Sequence, residues 1–201
     1  MSRGLLIVIS APSGAGKTTI CRFLLERVTS LRYSISTTTR PQREGEKNGV
    51  DYYFLTREEF EKKIENNVFL EYAQVYNNYY GTSRETVESI LNQGYHVLID
   101  VDTQGAHSIK KALPEAILIF IMPPSIGDLE KRLRERGKDA DDVIQLRLSC
   151  ARDEINKSYD YDYIVVNDVV EKAVSDIEAI IRAEQLRSAF QIDSNSVVLG
   201  E

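Results

Sequence analysis

One stretch near the amino terminus limits what this chain can fold into more than any other: Leu5-Leu6-Ile7-Val8-Ile9-Ser10-Ala11-Pro12-Ser13-Gly14-Ala15-Gly16-Lys17-Thr18-Thr19. A short apolar run gives way to a loop of small residues, and the loop to a Lys-Thr pair that opens a helical pattern. The order is strand, phosphate-binding loop, helix start. The residue types follow from the charge of the ligand. A triphosphate concentrates negative charge in a small volume, and backbone N–H groups converge on it only where side chains do not crowd the chain, hence Gly14 and Gly16. Lys17 adds a cation that reaches the β- and γ-phosphates, and the Thr18 hydroxyl is placed to ligate the Mg²⁺ they carry. The usual G-x-x-x-x-G-K-[ST] pattern is broken at one position, where Ala11 replaces the first Gly. Ala is the smallest substitute, so a tight turn is still expected there.

Downstream, strand patterns alternate with helical ones. Ile20, Phe23, Leu24 and Val28 share a helical face. Tyr33 to Thr39 alternates as one half-buried strand, followed by a loop dense in charge and a strand at Tyr52 to Leu55. Thr56 with Glu59 forms a capping box, Phe69 to Val75 is a strand, and Asn77 to Gly81 reads as a turn. Thr82 with Glu85 is expected to cap the next helix, which ends at Gly94. Tyr95 to Asp100 and Ala116 to Ile121 are continuous apolar runs, as buried parallel strands should be. Ser125 with Asp128 opens a helix through Arg136, Gly137 breaks it, and Asp139 to Lys157 is helical again. That pair is highly charged, with little apolar face, which is the character of a mobile lid. Tyr163 to Val166 is the last strand, and the last helix runs from Val170 to about Phe190. The pattern predicts an α/β chain with a doubly wound parallel sheet, its ligand lying beyond the carboxyl ends of the strands. A length of 201 residues suits one such domain carrying insertions.

Charge narrows the partners. A net charge of −6 argues against a general nucleic-acid binder, which needs a basic surface to release counterions. Anionic ligands must then be met by local arginines. Cys21 and Cys150 are widely separated and fit neither a disulfide framework nor a metal-ligand spacing, so both are expected to be buried or idle thiols in a reducing compartment. The longest apolar run, near Ala116 to Met122, falls short of a bilayer span. No membrane partner is expected, and the cytoplasm is the expected location.

The section from 33 to 82 offers a place for a second substrate. It carries Arg40 and Arg43 together with Tyr52 and Tyr80, and guanidinium forks with phenol hydroxyls suit a phosphate monoester. Glu71, flanked by apolar residues, asks for a donor partner. Guanine offers two adjacent donors on its Watson–Crick edge, whereas adenine would leave the acid desolvated and unpaired. The Ser36 and Thr82 hydroxyls are suited to the guanine O6 and N7 acceptors.

Taken together, Thr38-Thr39-Arg40-x-x-Arg43-x-x-Glu46-x-x-Gly49-x-x-Tyr52-x-Phe54, Phe69-Leu70-Glu71-Tyr72-Ala73, Tyr79-Tyr80-Gly81-Thr82, Asp100-Val101-Asp102-Thr103-Gln104-Gly105 and Ile164-Val165-Val166-Asn167-Asp168 resemble the guanylate kinases, in the same order along the chain. The resemblance implies transfer of the ATP γ-phosphate to GMP, with Mg²⁺ as the metal. It implies a P-loop core from residues 1–32, 83–124 and 159–190, a small mixed α/β GMP-binding subdomain at 33–82, a helical lid at 125–158 and a tail at 191–201. ATP would be held by Ala11, Pro12, Ser13, Gly14, Ala15, Gly16, Lys17, Thr18 and Thr19, with Asn167 on the adenine side. Ser36, Glu71 and Thr82 would hold guanine, and Arg40, Arg43, Tyr52 and Tyr80 the GMP phosphate. Asp100 resembles the acid near Mg²⁺, and both Asp100 and Asp102 resemble residues contacting GMP. Lys17, Arg132, Arg136 and Arg147 would act on the transferred phosphoryl.

Two rival readings are weaker. Asp102-Thr103-Gln104-Gly105 has the D-x-x-G shape of a GTPase γ-phosphate sensor, but Asn156-Lys157-Ser158-Tyr159-Asp160 has one residue too many for the N-K-x-D guanine reader. A catalytically dead scaffold module of guanylate-kinase type would typically have lost the phosphate loop, which is intact here at Gly14, Gly16, Lys17 and Thr18.

Overall fold

The computed structural model describes residues 3–75, 77–135 and 140–187. Five strands form a parallel sheet: β1 (Leu6–Ser10), β2 (Leu31–Tyr33), β7 (His96–Asp100), β8 (Ile117–Met122) and β9 (Tyr163–Val166). Their spatial order is β2-β7-β1-β8-β9, so the chain turns to opposite sides of β1 and a crevice opens at its carboxyl end. The phosphate-loop stretch begins there.

Both faces of this sheet are covered, which is why the strands read as unbroken apolar runs. Alternate residues of β1 serve opposite cores. Ile7 and Ile9 pack with Ile20 and Leu24 of helix α1 (Lys17–Arg27) and with Val174 and Ile177 of α7 (Val170–Gln185). Leu6 and Val8 pack with Val87 and Leu91 of α3 (Arg84–Asn92) and Ile109 of α4 (Thr103–Ala112). Each fully buried aliphatic side chain contributes roughly 1.5–3 kcal/mol relative to exposure. Cys21 is buried in the first of these cores. Among the described residues no helix is long and apolar enough to cross a membrane.

A second, mixed sheet has the order β4-β3-β6-β5, from β3 (Thr37–Thr38), β4 (Tyr53–Phe54), β5 (Phe69–Val75) and β6 (Asn78–Ser83). Helix α2 (Arg57–Glu65) begins with the expected capping box, Glu59 N–H donating to Thr56 Oγ1 at 3.2 Å and Thr56 N–H to Glu59 Oε2 at 2.8 Å. Its Phe60 is fully buried and stacks on Phe69 and Tyr79, at centroid distances of 4.4 and 5.3 Å.

Three expectations change. Tyr33 to Thr39 is not one strand: Tyr33 ends β2 in the parallel sheet, and Thr37 starts β3 in the mixed one. Alternation alone is blind to which sheet a residue joins. Asn78 to Ser83, expected as a turn and then a cap, is a strand paired antiparallel with β5. Ser83 rather than Thr82 caps α3, accepting from Thr86 N–H at 3.3 Å. The helices expected to form a lid, α5 (Ile126–Glu135) and α6 (Asp141–Asn156), are not short of apolar surface. Leu129, Leu133, Ile144, Leu148 and Ala151 form a buried seam that includes Ala15 of the loop. Cys150 lies exposed on α6. Arg136, the helix break at Gly137 and the tail from 191 lie outside the described residues.

Candidate active site

The loop has the backbone its glycines foretold. Gly14 and Gly16 sit at φ 95° and 96°, in the left-handed region where a side chain is strained. A Cβ on Gly16 would also run into the Asn167 amide. Ala11 carries no such demand: among the described residues the only non-glycine with positive φ is Asn67, so the missing first Gly costs the loop nothing. Gly16 caps α1 with no side-chain hydrogen bond and no acid follows in the first turn. The amino end of α1 is therefore left to an anion.

Lys17 Nζ lies 3.6 Å from Asp100 Oδ2 and donates to the Val101 carbonyl at 3.3 Å. Behind the loop, Asn167 is buried and its Nδ2 donates to the Ala15 carbonyl at 2.7 Å. From α5, Arg132 donates to the Asn167 carbonyl at 3.0 Å, and from α6 Arg147 donates to Ser13 Oγ at 3.4 Å.

Across the crevice, Glu71 of β5 is buried and accepts from Thr82 Oγ1 at 2.7 Å, so this hydroxyl directs its proton at the acid. Burial pushes the Glu71 carboxyl up to about 7; the Thr82 hydrogen bond opposes the rise and the charge of Asp102 adds to it. Asp102 itself caps α4, its Oδ1 accepting from Gly105 N–H at 2.8 Å. Ser36 is buried nearby. Arg40 is held: its Nη2 meets Glu46 Oε1 at 2.7 Å, and its guanidinium lies 5.4 Å from the Tyr52 ring centroid. Arg43 shares only the anchor, its backbone N–H donating to Glu46 Oε2 at 2.8 Å while the residue is exposed. Tyr52 and Tyr80 meet edge to face at 6.0 Å. Burial raises the Tyr52 phenol to about 12, which keeps it a donor.

The two halves open onto the same space. A cleft of about 250 Å³ is lined by Lys17 and Asp100 from the loop side and by Ser36, Tyr52, Glu71 and Tyr80 from the mixed sheet, with Asp102 between them. A family model described as guanylate kinase matches residues 3–184, the whole of both sheets. The chain belongs to the guanylate kinase family.

A guanylate kinase of Acinetobacter baylyi is 50% identical over 189 residues, covering 94% of this chain and 91% of the relative. One from Carboxydothermus hydrogenoformans is 49% identical over 187 residues, covering 93% and 92%. The crystal structure of guanylate kinase from Anaplasma phagocytophilum superposes with a TM-score of 0.78 at 37% identity, over 93% of this chain and 89% of that one.

Two residues of this guanylate kinase fold, offered by the sequence only as parts of longer motifs, also shape the cleft. Gly105 is one: a Cβ there would lie 2.9 Å from Glu71 Oε2, so a side chain would push the buried acid off the start of α4. Its place in the Asp102 to Gly105 motif was the available signal. Glu46 is the other, joining Arg40 to the backbone of Arg43. A larger cavity, about 460 Å³, opens at the opposite ends of the strands around Arg3, Glu115 and Arg187, away from the phosphate loop.

Proposed function

We propose that this guanylate kinase family member transfers the γ-phosphate of ATP to GMP, yielding ADP and GDP, and does so in the cytoplasm. What supports the reading is that Lys17 and Glu71 line one cleft, so that a triphosphate on the loop and a guanine nucleotide on the mixed sheet would meet end to end. The acceptor phosphate oxygen is itself a competent nucleophile, so catalysis reduces to placement and charge. Lys17 neutralises the donor phosphates. Arg40 and Arg43, with Tyr52 and Tyr80, hold the acceptor phosphate in line. Ser36 and Glu71 read the base, with the Thr82 hydroxyl holding Glu71 in place beside it. Asp102 fixes the start of α4 beneath Glu71 and borders the guanine. Residues 125–158 act as a lid whose Arg132, Arg136 and Arg147 come over the transferred phosphoryl and exclude water.

Among the described residues no group of three or more His, Cys, Asp and Glu is arranged to hold a metal. The donor set fits Mg²⁺ of another kind, bound through one or two protein oxygens and substrate phosphates. Thr18, exposed at the start of α1, and Asp100, with Oδ2 turned toward Lys17, would supply those oxygens. When bound, the ion screens charge on the β- and γ-phosphates.

Coupled measurement of ADP formation with GMP, AMP, UMP and dTMP tests the assignment. GMP-dependent turnover is expected. Unaided GTP hydrolysis, or equal use of AMP, would overturn it.

A further inference from the structure

The two oxygens of Asp100 have different neighbours. Oδ2 faces Lys17 Nζ at 3.6 Å, while Oδ1 accepts the phenol proton of Tyr33. Tyr33 comes from β2, the strand beyond β7, where it is registered beside Leu98. Side chains two apart on a strand share a face, so Leu98 and Asp100 both look toward α1. Leu98 joins the core there, and the Tyr33 ring packs against the same core. Packing alone would be served by any ring or aliphatic side chain of similar bulk. The hydroxyl adds a donor at the edge of the cleft.

The geometry points to Tyr33 as a positioning residue for phosphoryl transfer: by occupying Oδ1, it leaves Oδ2 as the single Asp100 oxygen presented to Lys17 and to the metal side of the cleft. The inference rests on the function proposed above. Without the hydroxyl, Oδ1 loses its donor in a partly desolvated place, and the carboxylate turns both oxygens toward the nearest cation, Lys17. A lysine gripped more tightly by Asp100 has less to give a phosphate, and the metal loses a fixed ligand. Both effects fall on the donor nucleotide. Glu71, Arg40 and Tyr80, which face the acceptor, are untouched by the change.

Tyr33→Phe keeps the ring and removes only the donor. It is expected to lower kcat/KM for ATP by about tenfold and to raise the half-saturating Mg²⁺ concentration several-fold, with KM for GMP within about twofold of the parent. Calorimetry supplies a readout independent of turnover: the affinity gained by a non-hydrolysable ATP analogue on adding Mg²⁺ should shrink by at least about threefold. Tyr33→Leu should behave the same way in both measurements. An unchanged Mg²⁺ response in Tyr33→Phe overturns the inference. So does a parallel loss of ATP and GMP use accompanied by a lower Tm, or a defect confined to Tyr33→Leu, since each would reduce Tyr33 to packing. If the parent protein itself forms no ADP in response to GMP, the proposed function has failed. An active parent with an indifferent Tyr33→Phe sinks the positioning role alone.

Discussion

Thr82 Oγ1 donates to Glu71 Oε1 across 2.7 Å, with both residues buried, and this one hydrogen bond only partly offsets the cost of holding a carboxylate away from water. The Glu71 carboxyl rises from 4.5 to about 7 as a result. The native state then binds the proton more tightly than the unfolded chain, so the stability tied to this proton is present in full below about pH 4.5 and is lost as pH rises through 7. Glu71→Gln cannot ionise. Its stability relative to the parent should therefore climb between pH 5 and pH 8, by about 3 kcal/mol in full, in urea unfolding of the ligand-free protein. A pH-independent difference would show that Glu71 is solvated.

Gly105→Ala separates helix stability from base recognition. Ala is the better helix former by about 1 kcal/mol, yet its Cβ would press on Glu71 Oε2 at 2.9 Å. The variant should keep its α4 helix and near-parental Tm while KM for GMP rises about tenfold or more. Unchanged GMP kinetics would mean that Glu71 has room to move aside.

Lys17→Met should lower kcat by about 10²–10³, the usual loss on removing one preorganised charge donor. GMP affinity, measured by calorimetry, should stay within a few-fold, because Lys17 sits on the phosphate-loop side of the cleft, against Asp100 and the Val101 carbonyl. Near-parental turnover would remove Lys17 from the mechanism.

Asn167→Ala removes the amide that satisfies the Ala15 carbonyl at 2.7 Å in a buried setting. Leaving that acceptor unpaired costs about 1–3 kcal/mol, and the loosened loop should raise KM for ATP more than KM for GMP. Denaturant midpoints and paired substrate titrations would check both halves. Equal KM changes would place the effect elsewhere than the loop.

Arg43→Met should leave the fold intact, because the residue is exposed and only its backbone is anchored, to Glu46. Its expected effect is on kcat/KM for GMP, roughly 2–5 kcal/mol if closure desolvates the phosphate it meets. An unaltered GMP titration would return Arg43 to the solvated loop.

What could be read in advance divides by range. Gly14, Gly16 and Lys17 are legible because the loop's demands are local: left-handed φ, small side chains and a cation at fixed spacing. The parallel sheet was legible because burial on both faces leaves unbroken apolar runs such as Ile117 to Ile121. Tyr33 and Thr37 are different. Both satisfy one alternating pattern, and only the distant partners Leu98 and Gly81 assign them to separate sheets. Asn78 to Tyr80 carries turn-like residues, but pairing with Ala73 to Val75 overrides local preference. The seam of Leu129, Leu133, Ile144 and Leu148 is spaced four apart within each helix, yet abundant charge on the other faces masked it. Gly105 and Glu46 stand inside recognisable motifs, but the contacts that give them their part, to Glu71 and to Arg40, are set by the fold.

The two thiols differ more in chemistry than in number. Cys21 is sealed in the core beside Asp100, its acidity suppressed to a pKa of about 12, whereas Cys150 stands in solvent on α6. Alkylating reagents act on accessible thiolates. A maleimide dye offered to the unmodified protein should thus attach once, at Cys150, and nucleotide-driven movement of α6 could be followed by fluorescence without introducing a single mutation.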